Sequence, residues 1–196
     1  SLLEPIYEFG SLQVEGQEGF ADLRPFFPGK KCIGADMRKG PGVDIVLNLH
    51  DIDLKSKSVG AVIMMDTLEH VEYPYKALEE VHRILKPGGI VIISSVMKFP
   101  IHDYPYEYWR FTPEAFKSIL KPFSQSFVGM AGNKKFPHTV VGIGVKNANI
   151  SLDQLNSEYE RWKKKWNYYQ EKSLRTFIEL FIPPLLLELY EKTRKN

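Results

Sequence analysis

The 196-residue sequence predicts an α/β domain: a doubly wound, mostly parallel seven-stranded (Rossmann-like) sheet ending in an antiparallel hairpin, with a C-terminal helical extension. Three observations predict it. Short continuous apolar runs alternate with segments of helical spacing, the pattern of parallel strands covered on both faces. Polar residues gather just after those runs, at the strand ends where open α/β sheets bind ligands. The last two apolar runs are joined by too few residues for a crossover helix, so they pair antiparallel.

Ile6–Phe9 is the first strand and stops at Gly10. Residues near Gly19 to Phe27 carry apolar positions suited to a helix before Pro28-Gly29. Lys31–Asp36, Val43–Leu47 and Gly60–Met65 are the next three strands. Pro74 to Leu85 then switches to helical spacing, with Ala77, Leu78, Val81, Ile84 and Leu85 on one face and Lys86-Pro87-Gly88-Gly89 as the stop. Gly89–Ser94 is the fifth strand, and Thr112-Pro113-Glu114 starts a further helix. Phe123–Met130 and Thr139–Lys146 form the hairpin around Ala131–Lys135.

The composition changes after Asn149, which divides the chain into a domain over 1–150 and a helical extension over 151–196. Leu152, Leu155, Tyr159, Trp162, Trp166 and Tyr169 make one apolar stripe on a helix. So aromatic a stripe needs cover: the core domain, the acceptor pocket it would roof, or a second subunit in a homodimer built through these helices.

Lys plus Arg number 26 against 24 Asp plus Glu, so no strong field favours nucleic acid. The single cysteine, Cys32, rules out an internal disulfide and fits a reducing cytoplasm. No apolar run reaches the roughly 18 residues of a membrane span; Phe177 to Tyr190 is cut by Glu179, Pro183, Pro184 and Glu188. These features predict a soluble, cytoplasmic protein acting on a small molecule.

The candidate site follows from the strand ends. Strand one gives Glu8, Gly10 and Ser11, where a glycine lets backbone approach a ligand. Strand two ends in Asp36 and Met37, a carboxylate able to accept from both hydroxyls of a ribose. Strand three leads into Asn48, Leu49, His50 and Asp51, a polar edge with apolar neighbours suited to adenine. Strand four ends at Met65 and Asp66. After strand five, Tyr104, Tyr106 and Trp109 can wall an acceptor pocket, and Arg110 offers a fork for an anionic group; the alternative is that Arg110 pairs with Glu107 or Asp103 inside a packed loop. His70 and His102 are the candidate general bases. His50, His70 and His102 lack the spacing of a metal site, so no metal is expected.

The stretch IGADMRKGPGVDIVLNLHDIDL, then MMDTLEHVEYPYKALEEVHRILKPGGIVIIS, resembles the S-adenosylmethionine-dependent methyltransferases of the large class I group that includes the ubiquinone-biosynthesis type (methyltransferase type 11). The likeness runs from about Pro5 to Lys146, and LEHV…RILKPGG is its most specific part. It implies S-adenosylmethionine as cofactor. Glu8 and Gly10 would be the remains of the glycine-rich motif, Asp36 the ribose acid, Asn48 and Leu49 the adenine contacts, and Met65 and Asp66 the border of the methionine half. The HDYPYEYWRF segment resembles a stretch from methyltransferases often found among surface-polysaccharide genes, which implies a sugar or lipid-linked sugar as acceptor. Two departures stand out: Leu12 and Val14 occupy positions where small residues are expected, and Gly60 replaces the aspartate that commonly opens the fourth strand. A nicotinamide oxidoreductase would show G-x-G-x-x-G after strand one, and this chain has none. A non-catalytic cofactor-binding module, docking through the aromatic helix, is the second reading.

Overall fold

A computed structural model of the chain describes residues 2–14, 16, 18–19, 21–102, 106–151 and 153–171. Its seven strands are β1 (Ile6–Phe9), β2 (Cys32–Asp36), β3 (Ile45–Val46), β4 (Val59–Met64), β5 (Leu85–Val96), β6 (Gln125–Gly132) and β7 (Pro137–Val145). They form one sheet in the order β3-β2-β1-β4-β5-β7-β6. The first five run parallel, and β7 lies antiparallel between β5 and β6. The strand order reverses between β1 and β4, which opens a ligand crevice at their carboxyl ends.

Among the described residues three α-helices accompany the sheet: α1 (Pro74–Ile84), α2 (Pro113–Ile119) and α3 (Asp153–Glu171). The face of α1 read from its spacing, Ala77, Leu78, Val81 and Ile84, is buried. Thr112 caps α2, its side-chain oxygen accepting from the Ala115 N–H at 3.2 Å. The buried ammonium of Lys146, at the end of β7, donates to the carbonyls of His82 and Leu85 and so closes the end of α1.

Period-two alternation sorts the strand side chains into two faces. Tyr7, Phe9, Val62, Met64, Val91 and Ile93 join α1 and α2 in the main core. Ile6, Ala61 and Ile63 turn the other way, where Leu2, Leu23, Phe27 and half-buried Ile90 and Ile92 cover them. The helix α3 packs along β6: the Tyr159 hydroxyl accepts from the Met130 N–H and donates to the Met130 carbonyl, each at 2.8 Å. Trp162 stays 40% exposed, and Leu152 with the side chains of Trp166 and Tyr169 lies outside the described residues, as does the segment Phe177–Tyr190.

The helix expected near residues 19–27 is replaced by one 3-10 turn, Arg24–Phe26. Pro25 can begin a turn, but Pro28-Gly29 ends it before an α-helix can establish. Among the described residues no α-helix links β1 to β2 or β2 to β3, so the winding helices α1 and α2 both lie in the main core. Gly60 is explained by a close crossing. The N-terminal segment passes over β4 there, the Pro5 carbonyl accepts from the Gly60 N–H at 2.8 Å, and a Cβ at Gly60 would lie 2.2 Å from the Leu3 carbonyl. Among the described residues, no helix is long and apolar enough to cross a membrane.

Candidate active site

The carboxyl ends of β1, β2 and β4 open on a cavity of about 470 Å³, within the roughly 300–1,000 Å³ of small-molecule sites. Gly10, in the left-handed region at φ 82°, lies against Thr67, whose Oγ1 would be 2.4 Å from any Cβ there. Thr67 Oγ1 donates to the Phe9 carbonyl at 3.2 Å, tying the end of β1 to the turn after β4. A side chain at position 10 would break that tie.

Asp36 stands at one end of the cavity and is only 7% exposed. Its Oδ1 accepts from the Arg38 backbone N–H at 2.9 Å and from the Arg38 Nε at 3.3 Å. Met37, Leu47, Asn48, Leu49 and His50 line the same end. Asn48 Oδ1 accepts from the His50 N–H at 2.9 Å, and His50 Nε2 accepts from the Tyr73 N–H at 3.2 Å, so this edge is held in shape. Leu12 and Val14, the departures from small residues, also border the cavity, on a loop fastened by Gln13 N–H to the Pro41 carbonyl at 2.9 Å. The loop therefore follows a non-helical path beside the site.

The opposite end holds Asp66, His70, His102, Tyr106 and Tyr108. Asp66 has φ 47° and is fixed by Ser94, whose hydroxyl donates to Asp66 Oδ1 at 2.8 Å; strained backbone of this kind persists where the surroundings over-determine it. The loop after β5 folds back onto the 3-10 turn Leu68–His70, with the Tyr108 N–H donating to the Glu69 carbonyl at 2.7 Å. That return brings His102 Nε2 to 3.2 Å from His70 Nε2.

Other expected residues lie elsewhere. Glu8 faces the thin side of the sheet with Ile6, Leu23, Phe27 and Cys32, away from the cavity. Burial first, then the negative charge of Asp22, pushes its carboxyl up to about 7. Ser11 is buried under Gly34, Asp51 forms a bridge with Asn48 outside the cavity, and Met65 is on the surface. Trp109 spends its indole N–H on the Val71 carbonyl at 3.0 Å. Arg110 is committed internally, to Glu107 at 2.5 Å and to the Pro100 carbonyl at 3.1 Å, so it offers no free fork. Tyr104 lies outside the described residues.

Sequence reasoning also passed over several residues. Thr67, Arg38 and Tyr108 line the cavity, and Glu107, weighed only as a partner of Arg110, also stands against His102 at its edge. Glu69 is fully buried, and burial, reinforced by the charge of Asp66, pushes its carboxyl up to about 7. A carboxylate between apolar Leu68 and Val71, next to a histidine, was the signal for it.

The sheet order and the cavity at its strand ends are those of the fold seen in class I S-adenosylmethionine-dependent methyltransferases. A family model described as a methyltransferase domain matches residues 30–93, a span that holds Asp36, Asn48, His50, Asp66 and His70. Among solved structures, a SAM-dependent methyltransferase of Thermotoga maritima is 19% identical, with a TM-score of 0.53 over 74% of this chain and 84% of that one. One from Archaeoglobus fulgidus is 15% identical, with a TM-score of 0.56 over 72% and 85%. No curated protein sequence matches the chain.

The position of Glu8 has a measurable consequence. A carboxyl raised to about 7 in the folded protein, against 4.5 as the ordinary value, binds its proton more tightly folded than unfolded. Its contribution is therefore fully favourable below pH 4.5 and is lost as pH rises to about 7. Glu8→Gln should gain about 1–2 kcal/mol at pH 8 after allowance for partial exposure, and little at pH 4. Urea unfolding at the two pH values measures this, and an equal effect at both would contradict it.

Proposed function

We propose that the cavity binds S-adenosylmethionine with its ribose on Asp36 and its methyl group toward His70 and His102, and that the acceptor is a hydroxyl-bearing small molecule such as a sugar or lipid-linked sugar. The observation that carries the reading is the polarity of the cavity. A buried carboxylate and a shaped polar edge stand at one end, and a histidine pair beside two tyrosines at the other. Both Arg38 contacts use Asp36 Oδ1, which leaves Oδ2 for ribose hydroxyls. Leu47 and Leu49 offer an apolar slot beside Asn48 for adenine, and Asp66 borders the methionine half.

The bound sulfonium supplies an electrophilic methyl and a neutral leaving group. The protein supplies alignment and exclusion of water, which accounts for much of the rate in such displacements. Tyr106 and Tyr108, with ring centroids 6.1 Å apart, give the acceptor end its aromatic wall. With no cation between them, His70 or His102 accepts the hydroxyl proton. Because Arg110 is engaged by Glu107, neutral sugars should serve as well as anionic ones.

Calorimetric titration with S-adenosylmethionine and with NAD, joined to methyl-release assays on paired neutral and acidic sugars, tests this. Binding of the first alone, with turnover on sugars of either charge, is expected. Preference for NAD, or no turnover on any hydroxyl acceptor, would contradict it.

A further inference from the structure

We propose that Glu69, His70 and His102 form a binding site for a divalent transition-metal ion at the acceptor end of the cavity. One ligand atom from each lies within 4.8 Å of the other two. The orientation of the rings carries the inference further than their proximity does. His70 Nδ1 lies 2.8 Å from the Tyr106 carbonyl, an oxygen that can only accept, so the proton of a neutral ring sits on Nδ1. His102 Nδ1 lies 2.9 Å from Glu107 Oε2, in ion-pair contact with a carboxylate, and this favours the same tautomer. With that tautomer on both rings the two Nε2 lone pairs face each other across 3.2 Å, an arrangement that a metal ion or a shared proton between them satisfies.

The separation suits one. At about 2.0–2.1 Å per bond and a tetrahedral angle, two imidazole ligands on one ion stand roughly 3.3–3.4 Å apart. Glu69 is the third ligand. It is fully buried on the turn that carries His70, and neither carboxylate oxygen has a partner at hydrogen-bond geometry. A buried carboxylate left so is costly unless it takes up a proton or a cation meets it.

The surroundings fit as well. Ligating histidines ordinarily give their other ring N–H to a carboxylate or a backbone carbonyl; the Tyr106 carbonyl has that place beside His70, and Glu107 stands within ion-pair distance of His102 Nδ1. Glu107 is itself fixed by Arg110 and by the His102 backbone N–H at 2.8 Å. The expectation of no metal came from sequence spacing, which sees only local motifs. Here the return of the loop after β5 brings together residues 32 positions apart.

Two histidines and one carboxylate leave a coordination position open, and His70 and His102 face the cavity shared with the methyl donor. An acceptor hydroxyl on the ion loses its proton to solvent more readily. Its oxygen lone pair then forms the bond to the methyl carbon, the C–S pair returns to sulfur, and S-adenosylhomocysteine leaves neutral. That use of the ion rests on the methyl-transfer reading; the site itself does not.

Calorimetry with zinc chloride, and visible absorption with cobalt(II), both on the whole chain near neutral pH without S-adenosylmethionine, decide the matter. One equivalent bound with cobalt ligand-field bands is expected. His102→Ala should weaken it by roughly 100-fold or more and Glu107→Gln by about 10–100-fold, with thermal unfolding showing that each variant folds. Asp36→Ala should bind zinc as the wild type does while losing S-adenosylhomocysteine, which separates failure of this site from failure of the cofactor assignment. No stoichiometric binding by the wild type, or binding that both variants leave unchanged, would overturn the site and leave a proton shared by the two histidines.

Discussion

Replacing Gly60 by aspartate is expected to remove a large part of the fold's stability, roughly 3 kcal/mol or more. The position tempts such a change, because the resembling methyltransferases commonly carry an acid there. In this chain a Cβ would lie 2.2 Å from both the carbonyl carbon and oxygen of Leu3 and 2.4 Å from the Glu4 nitrogen. These are backbone atoms, and they cannot swing aside as a side chain would. The segment is also held down, since the Pro5 carbonyl accepts from both Gly60 and Ala61 N–H groups, at 2.8 and 3.2 Å. Overpacking alone costs about 1–3 kcal/mol, and a carboxylate forced against buried β4 adds a desolvation penalty. The sum should exceed roughly 3 kcal/mol, a large part of the 5–15 kcal/mol that holds an ordinary domain together. Gly60→Ala isolates the steric part. Urea unfolding of that variant with the wild-type midpoint would show that the N-terminal segment does not cross here.

Asp36→Ala is expected to weaken S-adenosylmethionine and S-adenosylhomocysteine alike by about 1.5–3 kcal/mol, or roughly 10–150-fold, the loss of charge-assisted hydrogen bonds to a ribose. The carboxylate is already oriented, because it sits at the end of β2 and is gripped by Arg38 through one oxygen. Little ordering remains for the ligand to impose. Asp36→Asn should fall between, since one carbonyl oxygen survives. Thermal unfolding without ligand should change little, the Asp36–Arg38 pair having its cation 40% exposed. A titration in which Asp36→Ala binds as tightly as wild type would contradict the ribose contact.

The parts of this fold written in local pattern were legible. Continuous apolar runs located β4 and β5, the helical stripe located α1, and the short link after Met130 fixed the antiparallel hairpin. Asp36 and Asn48–His50 line the cavity as their strand-end positions led one to expect, because strand ends in a parallel sheet converge on one crevice. Glu8 was misplaced although its periodicity was visible. Tyr7 and Phe9 belong to the helix-covered core, so the residue between them must face the other way. Arg110 was weighed both as an acceptor fork and as an internal partner of Glu107 or Asp103, and it pairs with Glu107, three positions before it. The helix near residues 19–27 failed against Pro25 and Pro28. The pairing of His70 with His102 could not be read at all, because it depends on the loop after β5 docking on the Glu69 carbonyl through the Tyr108 N–H.

The most direct measurement is a crystal structure of the chain with S-adenosylhomocysteine. The ribose hydroxyls should lie on Asp36, the adenine between the Leu47–Leu49 edge and His50, and the sulfur should point toward His70 and His102. A nucleoside found on the Glu8 side of the sheet, or one whose ribose makes no contact with Asp36, would contradict the assignment.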